Sequence, residues 1–117
     1  MRATLGAAEL RAAHCAHAHP GDKLTDAEVA AQIAAATLSW QTRGDAIERT
    51  FRFADFRLTM AFVNAVAGVA DAEDHHPHLA VDYGRCLVRF NTHSAGGITR
   101  NDFICAAKID VLPGATG

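Results

Sequence analysis

The spacing of apolar residues constrains this chain more than any other feature, because it changes several times between helical and strand-like periods. Residues 46–53 alternate apolar and polar side chains, which predicts a half-buried strand that pairs with 39–42 in a hairpin. Residues 55–72 carry apolar side chains at helical spacing instead. Two further alternating stretches, 79–83 and 86–90, predict a second hairpin.

Helix-capping residues mark where three helices begin. Thr25 and Glu28 have the spacing of a capping box, and so do Thr99 and Asp102, while Asp55 is suited to cap the helix between the hairpins. The resulting order is helix, two strands, helix, two strands, helix. It predicts an α+β fold (α-β-β-α-β-β-α) in which a four-stranded antiparallel sheet has three helices packed on one face.

The central helix is predicted to have a wide apolar face. Its first stripe consists of Phe56, Met60, Val63, Ala67 and Ala70, and a second row widens it with Phe62, Val66 and Val69. One small sheet face does not cover so wide a stripe, so we expect a homo-oligomer. In the last helix we expect Phe103, Ala107 and Val111 to face inward.

The length of 117 residues suits one domain with a single hydrophobic core. Residues 1–23 are rich in Ala and His, and we expect them to form a solvated, poorly ordered tail in which any helix from Leu5 to Ala18 is frayed. Residues 24–113 are expected to form the domain, with a flexible loop at 94–97, and 114–117 a short C-terminal tail.

Composition and charge argue against several classes of protein. The net charge is -2, so the chain lacks the basic footprint of a nucleic-acid-binding protein. No apolar run approaches the ~20 residues of a membrane span. Glu9 and Arg11 interrupt the apolar region that a signal peptide needs, so we expect a cytoplasmic protein. Cys15, Cys86 and Cys105 contain no CxxC pair and fit free thiols in a reducing compartment.

Histidines cluster in one short segment and at one later position. Four of the seven lie within residues 74–78 and at position 93, and the second hairpin is expected to return His93 beside His75 and His76. An imidazole ordinarily titrates near pH ~6.5, so two of them can accept and deliver protons near neutral pH. The alternative is that His75 and His76 merely end a helix, where positive charge favours the helix dipole.

The chain resembles the pterin-4a-carbinolamine dehydratases, whose animal members also act as dimerisation cofactors of a homeodomain transcription factor. The residues that carry the resemblance are Ala72-Glu73-Asp74-His75-His76-Pro77, Tyr83, Thr92-His93, Gly97-x-Thr99 and Asp102. The spacings from His76 to His93 and from His93 to Asp102 agree with the family pattern, and the resemblance extends over about 24–111. His78 and Leu79 depart from it, because the family often has an acidic and an aromatic residue there.

The resemblance implies a hydro-lyase that removes water from 4a-hydroxytetrahydropterin to give quinonoid dihydropterin. This reaction recycles tetrahydrobiopterin for an aromatic amino acid hydroxylase, and it implies no metal or prosthetic group. His75 and His93 are then the acid and base, in either order, and His76 orients the pterin. The implied substrate-binding residues are Asp74, Pro77, Thr92, Ser94, Ala95 and Asp102. The family also forms dimers and tetramers, so we expect a homodimer or homotetramer.

Two other hypotheses remain open from the residues alone. The chain can be a non-catalytic interaction protein of the same fold, for which the histidines are dispensable. Alternatively, His75, His76, His78 and His93 can bind a metal, although no carboxylate or thiolate has the spacing to complete such a site. Asp102 also has an ordinary capping role that is compatible with a role in the site.

Overall fold

The protein has an α+β fold built on one four-stranded antiparallel sheet, as the sequence predicts. The computed structural model describes residues 2–115. The helices are α1 Ala7–Ala12, α2 Asp26–Ala36, α3 Phe56–Glu73 and α4 Arg100–Asp110, with short 3₁₀ turns at Pro20–Asp22 and His93–Ala95. The strands are β1 Gln41–Arg43, β2 Ala46–Arg52, β3 His78–Asp82 and β4 Arg85–Phe90. They lie in the order β1-β2-β4-β3.

The sheet buries one face and exposes the other. Strands β2 and β4 pair so that Ile47 lies opposite Phe90 and Phe51 lies opposite Cys86. All four of these side chains are fully buried. Polar side chains such as Glu48 lie on the opposite face, as expected for an antiparallel sheet that packs helices on one side only.

The predicted helix starts are confirmed. The Thr25 hydroxyl accepts a hydrogen bond from the Glu28 backbone N–H, and the Glu28 carboxylate accepts one from the Thr25 N–H. The Asp55 carboxylate accepts from the Leu58 N–H at the start of α3. Each of these bonds satisfies a backbone donor that has no partner within its helix.

The buried face of α3 includes Phe62, Val66 and Ala70 of the predicted stripe but is centred differently. Thr59, Phe62, Val66 and Ala70 are the buried residues, whereas Phe56 is 49% exposed. The helix is rotated so that the Phe62 ring packs 4.6 Å from that of Phe51. Counting apolar residues centred the stripe wrongly, because it left out Thr59. The Thr59 hydroxyl has backbone acceptors in reach, the Asp55 carbonyl at 2.8 Å and the Tyr83 carbonyl at 2.9 Å, and is therefore compatible with burial.

The predicted inward face of α4 is confirmed for two of its three residues. Phe103 and Ala107 are buried, but Val111 is 61% exposed. The helix ends at Asp110, so Val111 no longer lies on the buried face.

The prediction of a solvated tail is wrong for residues 2–23. Leu10 in α1 is fully buried in the core, and the Lys108 ammonium donates to the Arg11 carbonyl at 2.8 Å. A six-residue helix is not stable alone in water, so α1 depends on this packing against α4. The fold therefore contains four α-helices among its described residues, one more than predicted.

The C-terminal tail predicted at 114–117 is described only in part. Ala115 is buried, and its N–H donates to the Leu112 carbonyl at 3.0 Å. Residues 1, 116 and 117 lie outside the described residues.

Within residues 2–115, no helix combines the length and the apolar character needed to cross a membrane.

We predict that Leu10→Ala lowers the free energy of unfolding by about 2–5 kcal/mol, because it empties a fully buried position in the core. Val111→Ala is the control, since Val111 is exposed, and it should change the free energy by about 0.5 kcal/mol or less. Urea unfolding measures both values. Equal effects of the two substitutions would show that α1 does not pack on the domain.

Candidate active site

The end of α3 sets the position of His75. Asp74 adopts the left-handed conformation at φ 49°, which ends the helix and turns the chain. Asp tolerates this conformation better than most residues do. The His75 N–H then donates to the Ala70 carbonyl at 3.1 Å, so the backbone that leads into His75 is fixed.

Strand β4 supplies the surface on which the imidazole rests. The rings of His75 and Phe90 stack with their centroids 5.5 Å apart and their planes 13° from parallel. The chain then passes Thr92 and forms a tight turn, which the Thr92 and Gly97 backbones close with two hydrogen bonds. The loop predicted to be flexible at 94–97 is therefore held as a turn.

The first turn of α4 brings a carboxylate to the imidazole. Asp102 is fully buried, and its Oδ2 accepts hydrogen bonds from the Thr99 N–H and the Thr92 hydroxyl, both at 2.9 Å. Its Oδ1 lies 2.6 Å from Nε2 of His75. Asp102 thus serves both as a helix-capping residue and as the partner of a candidate catalytic histidine.

The hydrogen bonds around Asp102 have a consistent direction. Since Thr92 donates to Asp102, the Thr99 hydroxyl donates to Thr92 Oγ1 at 2.7 Å. A carboxylate oxygen only accepts hydrogen bonds, so the 2.6 Å contact with Oδ1 assigns a proton to Nε2 of His75. In the neutral imidazole this leaves a lone pair on Nδ1, as a proton acceptor requires.

A cavity of about 240 Å³ lies beside this dyad. The domain lines it with Glu73, Asp74, His75, Thr92, Ser94 and Asn101. The N-terminal region lines it with Cys15, Ala16, His17 and Ala18. The cavity is therefore enclosed partly by residues that the sequence assigned to a solvated tail.

The structure brings together only some of the predicted site residues. Asp74, His75, Thr92 and Ser94 line the cavity, and Asp102 lies directly behind His75. His76 is exposed, and its Nε2 lies 3.0 Å from Asp71. His93 is exposed in its 3₁₀ turn. Pro77 is half-buried and Ala95 is buried, and these four residues do not line the cavity described above.

Segment 14–18, which we call the strap, borders the site although no sequence pattern predicted it there. The Asn101 amide bonds to the backbone of Ala16 in both directions, from Nδ2 to the carbonyl at 2.6 Å and from the Ala16 N–H to Oδ1 at 3.1 Å. The Ser94 hydroxyl donates to the Ala18 carbonyl at 2.8 Å. These contacts join positions more than 70 residues apart, which local patterns in a sequence do not report.

Glu73 holds the other end of the strap. Its carboxylate accepts from the Cys15 N–H at 2.7 Å and contacts the imidazole of His14 at 3.0 Å. Burial raises the pKa of Glu73, but the Cys15 N–H, His14 and Lys108 together outweigh that effect and bring it below its usual range. A lowered pKa favours the folded arrangement above the ordinary carboxyl pKa, so the contact weakens as pH falls through the value in the folded protein.

Comparison with known proteins agrees with the resemblance of these residues. The model of the protein family described as pterin 4 alpha carbinolamine dehydratase matches residues 22–112. The chain belongs to the pterin-4a-carbinolamine dehydratase family. A Chromobacterium violaceum relative, provisionally named as such a dehydratase, is 47% identical over 98 residues, which are 84% of this chain and 90% of that protein. A relative in Xanthomonas campestris pv. campestris, also provisionally named, is 50% identical over 106 residues, with 88% and 89% covered.

Two solved structures share the fold of this dehydratase-family protein. A Brucella melitensis protein described as a transcriptional coactivator/pterin dehydratase matches with a TM-score of 0.70 and 34% identity, over 75% of this chain and 95% of that one. A pterin dehydratase-like protein described as a RuBisCO assembly factor in the alpha-carboxysome matches with a TM-score of 0.54. At 20% identity, over 68% and 92% of the two chains, the latter likeness shows the fold alone.

The geometry offers no ligand set for the metal hypothesis. Within residues 2–115, no group of three or more His, Cys, Asp or Glu side chains is arranged to hold a metal ion. His75 is directed to Asp102 instead, and His76 to Asp71.

We predict that Asp102→Asn reverses the tautomer of His75. An amide that still accepts from the Thr99 N–H presents its NH₂ group to Nε2, so the ring proton must move to Nδ1. Nitrogen-15 shifts of the imidazole measure this directly. The variant should also lose about 1–3 kcal/mol of stability, because a buried acceptor is removed.

Asp71→Asn provides the matched control for this substitution. It makes the same change of carboxylate to amide beside the exposed His76, where a contact between solvated side chains contributes little. The free energy of unfolding should therefore change by about 0.5 kcal/mol or less, and the tautomer of His75 should stay the same. An unchanged His75 tautomer in Asp102→Asn would contradict the orienting role of Asp102.

Proposed function

We propose that this protein is a 4a-hydroxytetrahydrobiopterin dehydratase that converts 4a-hydroxytetrahydropterin into quinonoid dihydropterin and water. The observation that carries the proposal is a histidine held by a fully buried carboxylate at the wall of a cavity. Membership of the dehydratase family supports it. The same arrangement of imidazole and carboxylate is a general means of moving protons at neutral pH.

The reaction requires two proton transfers at neighbouring atoms of the substrate. The bond between C4a and its hydroxyl breaks, the hydroxyl takes a proton and leaves as water, and N5 loses its proton as the C4a–N5 double bond forms. His75 is proposed as the base at N5, because Asp102 stabilises the imidazolium that results. His93 does not itself line the cavity, but it directly follows Thr92, which does, and it is proposed as the acid that protonates the leaving hydroxyl.

The remaining residues are proposed to bind and orient the pterin. The pyrimidine edge of a pterin presents N–H donors, and the Asp74 carboxylate at the cavity is a suitable acceptor. Thr92 and Ser94 also line the cavity and can contact the ring. His76 orients the ring, and Pro77 and Ala95 shape the surrounding chain. The reaction uses no metal or prosthetic group.

The proposed reaction links the protein to an aromatic amino acid hydroxylase in the cytoplasm. Such hydroxylases leave their pterin cofactor hydroxylated at C4a, and dehydration is the first step in restoring it. The substrate is therefore a small soluble pterin, in keeping with a cavity enclosed by polar groups.

A second candidate function is that of a non-catalytic interaction protein. The Brucella melitensis protein is described as a transcriptional coactivator as well as a dehydratase, which favours this alternative. Four of the exposed apolar side chains are proposed for such a role, namely Phe56, Leu58, Val81 and Tyr83. Binding of a partner through these residues would not depend on His75 or His93, so variants of the two histidines separate the functions.

The same exposed residues support a proposed homodimer or homotetramer. Strand β3 is an edge of the sheet, and its Val81 is 37% exposed. The Thr59 hydroxyl donates to the Tyr83 carbonyl at 2.9 Å, which places the start of α3 beside the end of β3. An edge strand flanked by exposed apolar side chains is suited to pairing with another copy.

We predict that the protein accelerates the decay of freshly generated 4a-hydroxytetrahydropterin, measured by absorbance. His75→Ala and His93→Ala should each reduce kcat/KM by about 10²–10⁴-fold, because each removes one proton-transfer group. His19→Ala is the control, since it removes an exposed imidazole in the N-terminal region and should leave the rate unchanged. A folded wild type that does not exceed the spontaneous rate would overturn the proposal.

We predict a molar mass of two or four chains by light scattering at micromolar concentration. Val81→Lys should lower that mass, because a charge at the edge strand opposes pairing. Val111→Lys should not, although Val111 is more exposed, because Val111 follows α4 and does not belong to the edge strand. A monomer mass for the wild type would contradict the prediction.

A further inference from the structure

Two cysteine thiols meet where the strap crosses α4. The Sγ atoms of Cys15 and Cys105 are 3.7 Å apart, and both thiols are free. From this geometry we infer that Cys15 and Cys105 are a reversible dithiol–disulfide pair, oxidised by peroxides, whose disulfide ties the strap to α4 at the wall of the cavity. This inference concerns a modification site and does not depend on the proposed dehydratase activity.

One face of α4 carries the contacts that dock the N-terminal region. Asn101 and Cys105 are four residues apart and therefore lie on the same side of the helix. Asn101 forms hydrogen bonds with the backbone of Ala16. Cys105 contacts the side chain of Cys15, which directly precedes Ala16. The contacts that hold the strap on α4 therefore also place Cys15 beside Cys105.

The two thiols differ in accessibility, which sets the order of reaction. Cys15 is partly exposed and lines the cavity, whereas Cys105 is fully buried. The hydrogen bond with Cys15, followed by burial, raises the pKa of Cys105. Cys15 is therefore the thiol that meets an oxidant from solution, and Cys105 is the thiol that completes the disulfide.

The oxidation balances with one peroxide. The Cys15 sulfur attacks the O–O bond of hydrogen peroxide, becomes a sulfenic acid and releases one water. The Cys105 sulfur then attacks the Cys15 sulfur, the S–S bond forms and the sulfenic oxygen leaves as a second water. Two electrons and two thiol protons pass from the cysteines to the peroxide, and a dithiol reductant reverses the change.

The approach required of the two sulfur atoms is small. A disulfide bond is ~2.05 Å long, so the atoms must close by less than about 2 Å. Ala16, His17 and Ala18 line two cavities, of about 240 and 470 Å³, and this open space leaves the strap room for the movement. Hydrogen bonds with Asn101, Ser94 and Glu73 hold it in the reduced protein.

The position of the pair gives oxidation a structural consequence. Cys15 directly precedes Ala16, His17 and Ala18, which form one wall of the cavity. In the reduced protein the strap is held by reversible contacts, while in the oxidised protein a covalent bond fixes its first residues to α4. Opening of this wall is then expected to be slower.

The test treats the 117-residue protein with hydrogen peroxide, denatures it, and alkylates the thiols that remain. Wild type should lose two of its three alkylatable thiols, and peptide mass spectrometry should find Cys15 joined to Cys105. A dithiol reductant should restore both. Hydrogen exchange of the Ala16 amide should be slower in the oxidised protein than in the reduced protein.

Two variants serve as controls for the thiol count. Cys86→Ala should still lose two thiols, because Cys86 lies in β4 away from the pair. Cys15→Ser should keep both of its remaining thiols. Retention of all three thiols by wild type, oxidation of Cys15 with Cys105 still alkylatable, or a disulfide between two chains would overturn the inference. An unchanged hydrogen-exchange rate of the Ala16 amide in the disulfide form would contradict the claim that the disulfide ties the strap to α4.

Discussion

The buried carboxylate of Asp102 connects the parts of the chain that form the candidate active site. It caps α4 through the Thr99 N–H, holds Thr92 at the end of β4, and fixes the imidazole of His75 after α3. A fully buried carboxylate is costly unless its oxygens accept several hydrogen bonds, and here both are occupied. Stability and site geometry therefore depend on the same few contacts.

The N-terminal region completes the site from outside the segment that the family model matches. That match begins at residue 22, while the strap ends at Ala18. Glu73, immediately before Asp74 and His75, and Asn101, immediately before Asp102, both bind the strap. Glu73 and Asn101, which hold the strap, are thus neighbours in sequence of candidate site residues. Movement of the strap is therefore expected to affect the cavity directly.

Local patterns predicted the elements and caps, but not the contacts between distant segments. The Thr99–Asp102 spacing specified a capping box, whereas the contact of Asp102 with His75 depends on how α3 ends at a left-handed Asp74. The rotation of α3 was missed because a polar Thr59 occupies its buried face. The docking of α1 was missed because it depends on Leu10 reaching the core rather than on helix propensity.

A crystal structure of the protein with 7,8-dihydrobiopterin, an analogue that has no 4a-hydroxyl to lose, tests the proposed site most directly. We predict that the ring occupies the cavity between His75 and Ser94, with N5 within ~3.2 Å of a His75 ring nitrogen and with the Asp102 contact intact. A ring bound away from this cavity, or a His75 imidazole turned away from Asp102, would contradict the proposed site.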